Sequence, residues 1–125
     1  MAKGFNANRE RQELVNSFGK TLGKRASFRC EWCDETDDLR VWDYRPKADP
    51  SPETLALLCG ACRELAEGKT GDEKRLHSLR NALWSDTPAI AEGAARVLAR
   101  SRAAWVRDAI EESLIEEAVK RELLG

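Results

Sequence analysis

Four sulfur atoms are the first chemistry this chain offers. Cys30, Cys33, Cys59 and Cys62 form two Cys-x-x-Cys pairs, and no other cysteine occurs among the 125 residues. Each pair presents two soft thiolates from one tight turn, and two such turns can close a tetrahedron around one Zn²⁺. The 25 residues between Cys33 and Cys59 leave room for a strand, a turn and a return segment. Four thiolates complete the coordination of the ion. The expectation is therefore one structural Zn²⁺ per chain, with no open position at which water could be activated. Fe²⁺ or a cluster is the alternative cargo for the same donors. Two disulfides would need an oxidising compartment, whereas the polar, charged residues before Cys30 show no apolar signal segment and point to the cytoplasm. A redox-active pair would be expected beside a βαβ pattern, which the sequence lacks.

Little else could form a catalytic set. His77 is the only histidine and lies beyond both cysteine pairs; its ordinary reading is a packed or exposed helix residue. Asp34, Glu35, Asp37 and Asp38 crowd one turn and read as a solvated loop. There is no Gly-x-Ser-x-Gly, no phosphate-binding glycine loop and no His-Glu-x-x-His. The chain reads as a non-catalytic protein.

The elements that must position the cysteines are mostly helical. Residues 7–25 predict a helix with Leu14, Val15, Phe18 and Leu22 on one stripe, capped by Asn6 or Asn8 and weakened by Gly19 and Gly23. Leu39 to Arg45 alternates as a strand does, with Leu39, Val41 and Asp43 on one face and Arg40, Trp42 and Tyr44 on the other. Pro46, Pro50 and Pro52 make a loop, and Leu55, Leu57 and Leu58 bring the chain back. Cys59-Gly60-Ala61-Cys62 then opens into a short helix ended by Gly68 and Gly71. One pair on a knuckle and the other at a helix start is a treble-clef arrangement, favoured here over a zinc ribbon built only of strands. Asp72 is expected to cap a helix through Trp84. Thr87-Pro88 starts another, running to about Arg102, with Ile90, Ala94, Val97 and Leu98 buried. A last helix, 104–124, carries Trp105, Ala109, Ile110, Leu114, Ile115, Ala118 and Val119 on its stripe, with a kink or break near Ser113. The fold class is α+β, mostly helical, and organised as a basic N-terminal helix (1–25), a four-cysteine zinc-binding unit (26–70) and a C-terminal helical region (71–125) in one compact domain.

Charge and apolar surface frame the choice of partner. The formal net charge is −1, which by itself calls for no polyanion. Its distribution is uneven. Residues 1–29 carry Lys3, Arg9, Arg11, Lys20, Lys24, Arg25 and Arg29 against Glu10 and Glu13, while residues 105–125 lean acidic. The two ends could pair, or stand as solvated helix faces. Arg29, Arg40, Arg45, Lys47 and Arg63 surround the cysteine pairs in sequence, with Trp32, Trp42 and Tyr44 among them, so nucleic-acid binding is one candidate. The competing view is that these cations offset the −2 charge of a four-thiolate Zn²⁺ centre while the tryptophans pack as core. The favoured partner is a protein or a second copy of the chain, docking on Trp84, Trp105 and the Leu114–Leu124 stripe. No stretch is long enough to span a bilayer, so a membrane-embedded role is excluded.

Arg29-Cys-Glu-Trp-Cys33, Leu39-Arg-Val-Trp-Asp-Tyr-Arg-Pro46 and Ser51-Pro-Glu-Thr-Leu-Ala-Leu-Leu-Cys-Gly-Ala-Cys62, followed by His77 and Trp84-Ser-Asp-Thr-Pro-Ala89, resemble the proteobacterial branch of the PhnA family. Those zinc-binding proteins were first named from alkylphosphonate-utilisation operons, and the likeness covers roughly residues 26–105. The resemblance implies a cytosolic zinc protein with ligands at Cys30, Cys33, Cys59 and Cys62, and it transfers no catalytic role. The same stretch also resembles the zinc-knuckle HNH nucleases, in which an Asp-His dipeptide stands near the end of the strand. Here that dipeptide is Asp43-Tyr44, and a tyrosine with a pKa near 10 is a poor base.

Overall fold

The computed structural model describes residues 2–69, 73–101 and 103–125, with side chains from residue 9 onward. Helix α1 (Ala2–Ser17) and α2 (Gly19–Ala26) lead into two antiparallel strands, β1 (Arg40–Asp43) and β2 (Leu55–Leu58). Five further helices follow: α3 (Gly60–Ala66), α4 (Glu73–Ala82), α5 (Pro88–Ala99), α6 (Trp105–Glu112) and α7 (Glu117–Leu124). The protein is thus mostly helical around one small sheet.

The sheet is covered on both faces, which explains why Leu55-Ala-Leu-Leu58 is apolar without alternation. All four β2 residues are buried. Arg40 pairs with Leu58, Val41 with Leu57, Trp42 with Ala56 and Asp43 with Leu55. Leu55, Leu57 and Val41 face α1–α2 and meet Val15, Leu22 and Phe18. Ala56, Leu58 and Trp42 face the other way, into the larger cluster built on α5. The expected alternation of β1 holds for Val41 against Trp42, because a strand places successive side chains on opposite sides.

Helix α5 is the central post. It is buried on nearly every side, from Ala89 through Leu98, as expected of a helix apolar all round. Pro88 stands in its first turn, as the Thr87-Pro88 pair requires. Thr87 does not cap it through its hydroxyl, however; the Ala89 amide donates instead to the Glu53 carbonyl at 3.0 Å. Gly93 gives the post a flat spot. A Cβ there would stand 2.8 Å from Trp42 Cζ3 and 2.9 Å from Trp32 Cζ2, so both indoles rest on bare backbone.

Several boundaries differ from expectation. Helix α1 begins at Ala2, which places Asn6 and Asn8 inside it rather than at its cap. The chain breaks at Phe18, before Gly19. Leu14, assigned to the buried stripe, is 49% exposed. Helix α4 ends at Ala82, and Leu83 and Trp84 follow in tight turns that donate to Arg80 and Asn81. The proposed cap Asp72, the stop Gly71 and the helix end Arg102 lie outside the described residues. The last helix does break near Ser113. Lys120 Nζ then donates to the freed carbonyls of Glu111 and Ser113 at 2.8 and 2.7 Å. That break shifts the phase of the stripe, leaving Ile115 and Val119 buried but Leu114 71% exposed and Ala118 at the surface. Among the described residues, no helix is long and apolar enough to cross a membrane.

Candidate metal centre

The first cysteine pair sits on a turn that the backbone must work to make. Ser27 and Phe28 after α2 both adopt left-handed conformations, φ 55° and 56°, and reverse the chain into Cys30. The Asp34 amide donates to the Cys30 carbonyl (2.9 Å) and the Cys30 amide to that of Glu35 (2.8 Å), closing the knuckle. Asp34 is left-handed too, φ 66°, and aspartate tolerates that region better than most residues.

Between the ligands, Glu31 clips the knuckle to β2. Its amide donates to the Leu57 carbonyl, and its carboxylate accepts from the Leu57 amide, both at 2.8 Å. Arg25 grips the same carboxylate with two donors, at 2.9 and 2.7 Å, and reaches the carbonyls of Pro52 and Leu55. Trp32 plunges the other way. It is 3% exposed, donates from Nε1 to the Ile90 carbonyl at 3.0 Å and meets Trp42 edge-on at 5.2 Å.

The second pair opens α3. Cys59 is the residue before its first turn, with extended backbone (φ −74°, ψ 168°), and Cys62 stands within that turn. The positive end of the peptide dipoles there favours thiolate over thiol.

These two turns bring all four sulfurs within 4.8 Å of one another. None is in a disulfide; Cys30, Cys59 and Cys62 are buried and Cys33 is half-buried. Cys33 Sγ and Cys59 Sγ are 3.6 Å apart. A tetrahedron with metal–sulfur bonds of about 2.3 Å has edges of about 3.8 Å, so the spacing suits a shared ion and is far too long for an S–S bond. Crowding spreads the acidities. A hydrogen bond from Cys62 lowers the Cys30 pKa to about 5, burial raises Cys33 to about 12, and its role as donor to Cys30 raises Cys62. A divalent cation at the centre removes the conflict by favouring the thiolate at every position.

A cation that sequence reasoning missed faces the cluster. Arg75, on α4, directs Nη1 to Cys33 Sγ at 3.0 Å, with Cys59 Sγ at 3.7 Å and Cys62 Sγ at 3.9 Å. Nothing in the local pattern of α4 distinguishes Arg75 from a solvated helix arginine; only the packing of α4 beside the knuckle reveals it.

The structure separates the five cations singled out as nucleic-acid contacts. Arg40 and Arg63 converge on Asp38, at 3.3 and 2.7 Å. Arg45 pairs with Glu92 at 3.2 Å and covers the Tyr44 ring, with Lys47 beside it in the same exposed loop. Arg29 is exposed next to Phe28. Trp32 is buried, and half-buried Trp42 packs on Trp32, Tyr44 and Gly93. Asp43 accepts from Arg11 Nε at 3.1 Å. The Tyr44 hydroxyl donates to Glu92 at 3.0 Å and accepts from Arg96 at 2.8 Å, and burial raises its pKa further from neutrality. Tyr44 is thus held as a protonated member of a hydrogen-bonded charge network. His77 stacks on Trp105 at 4.7 Å, on the surface of α4. Among the described residues, the basic head pairs with Asp43 and Glu31, and the acidic tail with Arg96 through Glu122, rather than with each other.

No protein-family model, curated protein or solved structure matches this chain. Function must therefore be read from the four-sulfur cluster, which can hold one metal ion.

Proposed function

We propose that the protein is a zinc-stabilised, non-catalytic binding module of PhnA type, with one structural Zn²⁺ held by Cys30, Cys33, Cys59 and Cys62 in a treble-clef arrangement. The observation that carries this reading is the closed set of four soft donors, all within 4.8 Å and three of them fully enclosed. Borderline-soft Zn²⁺ is the ordinary occupant of four thiolates, and their geometry leaves no site for substrate or water. Bound there, the ion supplies cohesion rather than Lewis acidity. The centre would carry −2, and Arg75 offsets part of that charge while donating to sulfur. A knuckle paired with a helix start, and the Arg29–Cys62 and Trp84–Ala89 segments, support the PhnA-like assignment.

The apolar side chains suited to docking a protein or a second copy of the chain are Trp84, 48% exposed, and Leu114, 71% exposed. Trp105 contributes less than its sequence suggested, since His77 covers it. Light scattering at several concentrations tests self-association; a strict monomer restricts the surface to a different protein.

Metal analysis of purified protein, followed by unfolding in a chelator, tests the centre itself. About one zinc per chain and loss of structure on chelation are expected. Metal-free yet fully compact protein with four freely reactive thiols would overturn the reading.

A further inference from the structure

The left-handed Ser27–Phe28 pair does more than turn the chain. A bulky residue at positive φ is a steric outlier, and such strain collects at binding sites. Here it delivers a phenyl ring to the surface, where Phe28 is 59% exposed. The ring is nonetheless fixed, because it rests on Gly23 so closely that a Cβ there would lie 2.5 Å from Phe28 Cε1. It borders a groove of about 690 Å³ against α1, α2 and β1, lined also by Leu39, Val41, Arg40 and Arg63. Asp38 holds the two guanidinium groups side by side, leaving the trio with a net positive charge. The Arg40 side chain is 73% exposed and that of Arg63 19%, its Nη2 donating also to the Asp38 carbonyl at 3.0 Å. Lys20, Lys24 and Arg29 stand exposed on α2 and beside Phe28.

We propose that this groove binds single-stranded nucleic acid, with one base stacked on Phe28 and the adjoining phosphates on Arg40 and Arg63. A fixed aromatic surface next to paired guanidinium groups matches the alternation of flat base and anionic phosphate in an unpaired strand. A duplex offers the phosphates but conceals the base faces. Neither Trp84 nor Leu114 lines the groove. It depends on the metal centre only for its frame, since Phe28 precedes Cys30 by two residues and Arg63 follows Cys62.

The test is fluorescence anisotropy of labelled oligo-dT and oligo-rU with the full-length, metal-loaded protein at low and fourfold higher salt. Metal content and helical circular dichroism are checked for every variant, so loss of the centre is told apart from loss of the groove. Two phosphate contacts predict an affinity about sevenfold weaker at the higher salt. Phe28→Ala should weaken binding by roughly 5- to 150-fold without changing the salt dependence, as loss of a stacking platform does. Arg40→Gln, at an exposed site, should weaken binding and flatten the salt dependence. Metal-loaded, folded protein that binds neither oligomer at low salt, or binding indifferent to Phe28→Ala, overturns the proposal. So does equal affinity for a nucleoside monophosphate, which would assign the groove to a free nucleotide. Preference for duplex of the same sequence overturns it as well.

Discussion

Arg75 and Asp34 show how single residues tune a cluster whose donors are otherwise fixed. The Arg75 guanidinium is the one described cation placed against the sulfurs, and outer hydrogen bonds to metal ligands commonly change metal affinity by about 10- to 100-fold. Arg75 is only half-buried, so solvent screening argues for the low end of that range. Arg75→Met should transfer its metal to a colorimetric chelator about tenfold more readily, with Cys33, the half-buried ligand, alkylated first. Unchanged transfer would make the contact incidental. At Asp34 the backbone is left-handed, φ 66°, where glycine is unstrained and a β-branched side chain is not. Asp34→Gly should leave stability unchanged or raise it by up to about 1 kcal/mol, whereas Asp34→Val should cost roughly 1–3 kcal/mol in chemical denaturation. The four cysteines were legible in sequence because their spacing is local. Arg75 and the Arg25–Glu31 clip were not, because contacts across 42 residues, or between a helix and a knuckle turned by Ser27 and Phe28, depend on packing alone.

Among the elements, α5 sets the geometry of the rest. The sequence marked its start through Thr87-Pro88 and its buried residues through Ile90, Ala94, Val97 and Leu98. It did not reveal that Gly93 is the seat of two indoles, since glycine in a helix ordinarily signals only weakness. Gly93→Ala tests the distinction. Helix propensity alone predicts stabilisation by roughly 1 kcal/mol. Against it, a Cβ at 2.8–3.0 Å from the buried Trp32 and half-buried Trp42 rings must push them aside, and overpacking of that kind typically costs about 1–3 kcal/mol. Net destabilisation by urea titration, with an altered near-ultraviolet tryptophan signal, is the expected result; a more stable protein would show that the rings yield. Elsewhere, the phase of an apolar stripe was the least legible feature. Leu14 and Leu114 were assigned inward from periodicity, yet both are exposed: Val15 takes the core-facing place in α1, and Leu114 lies in the turn between α6 and α7, a break whose position no single-helix pattern anticipates.

Across the whole molecule, charge pairs tie remote segments, and the larger core ties the C-terminal helices to the cysteines. Arg96 bridges Tyr44 after β1 to Glu122 on α7, and it holds the Glu122 carboxyl below its ordinary pKa. A group whose pKa is lowered by folding adds stability above its unfolded value and loses it as pH falls through the folded one. The stability gap between wild type and Glu122→Gln, read from urea midpoints, should therefore close on going from about pH 7 to about pH 3; a gap constant with pH would show the pair to be inert. The larger dependence concerns the metal. Cys30, Cys59 and Cys62 belong to the same buried cluster as Leu79 and Leu83, Ala89 to Leu98 of α5, Val106 and Ile110 of α6, and Val119 of α7. Trp32, held between two cysteines, donates to α5, and Arg75 reaches the sulfurs from α4. A core shared in this way has no seam along which α4–α7 could separate from the cysteines and keep their apolar faces covered. Chelation should thus melt the helical circular dichroism, most of which arises outside the cysteine turns, in the same transition as the tryptophan fluorescence. Two separated transitions, with helices surviving removal of the metal, would mean that α4–α7 form a core of their own and that the sulfur cluster only decorates it.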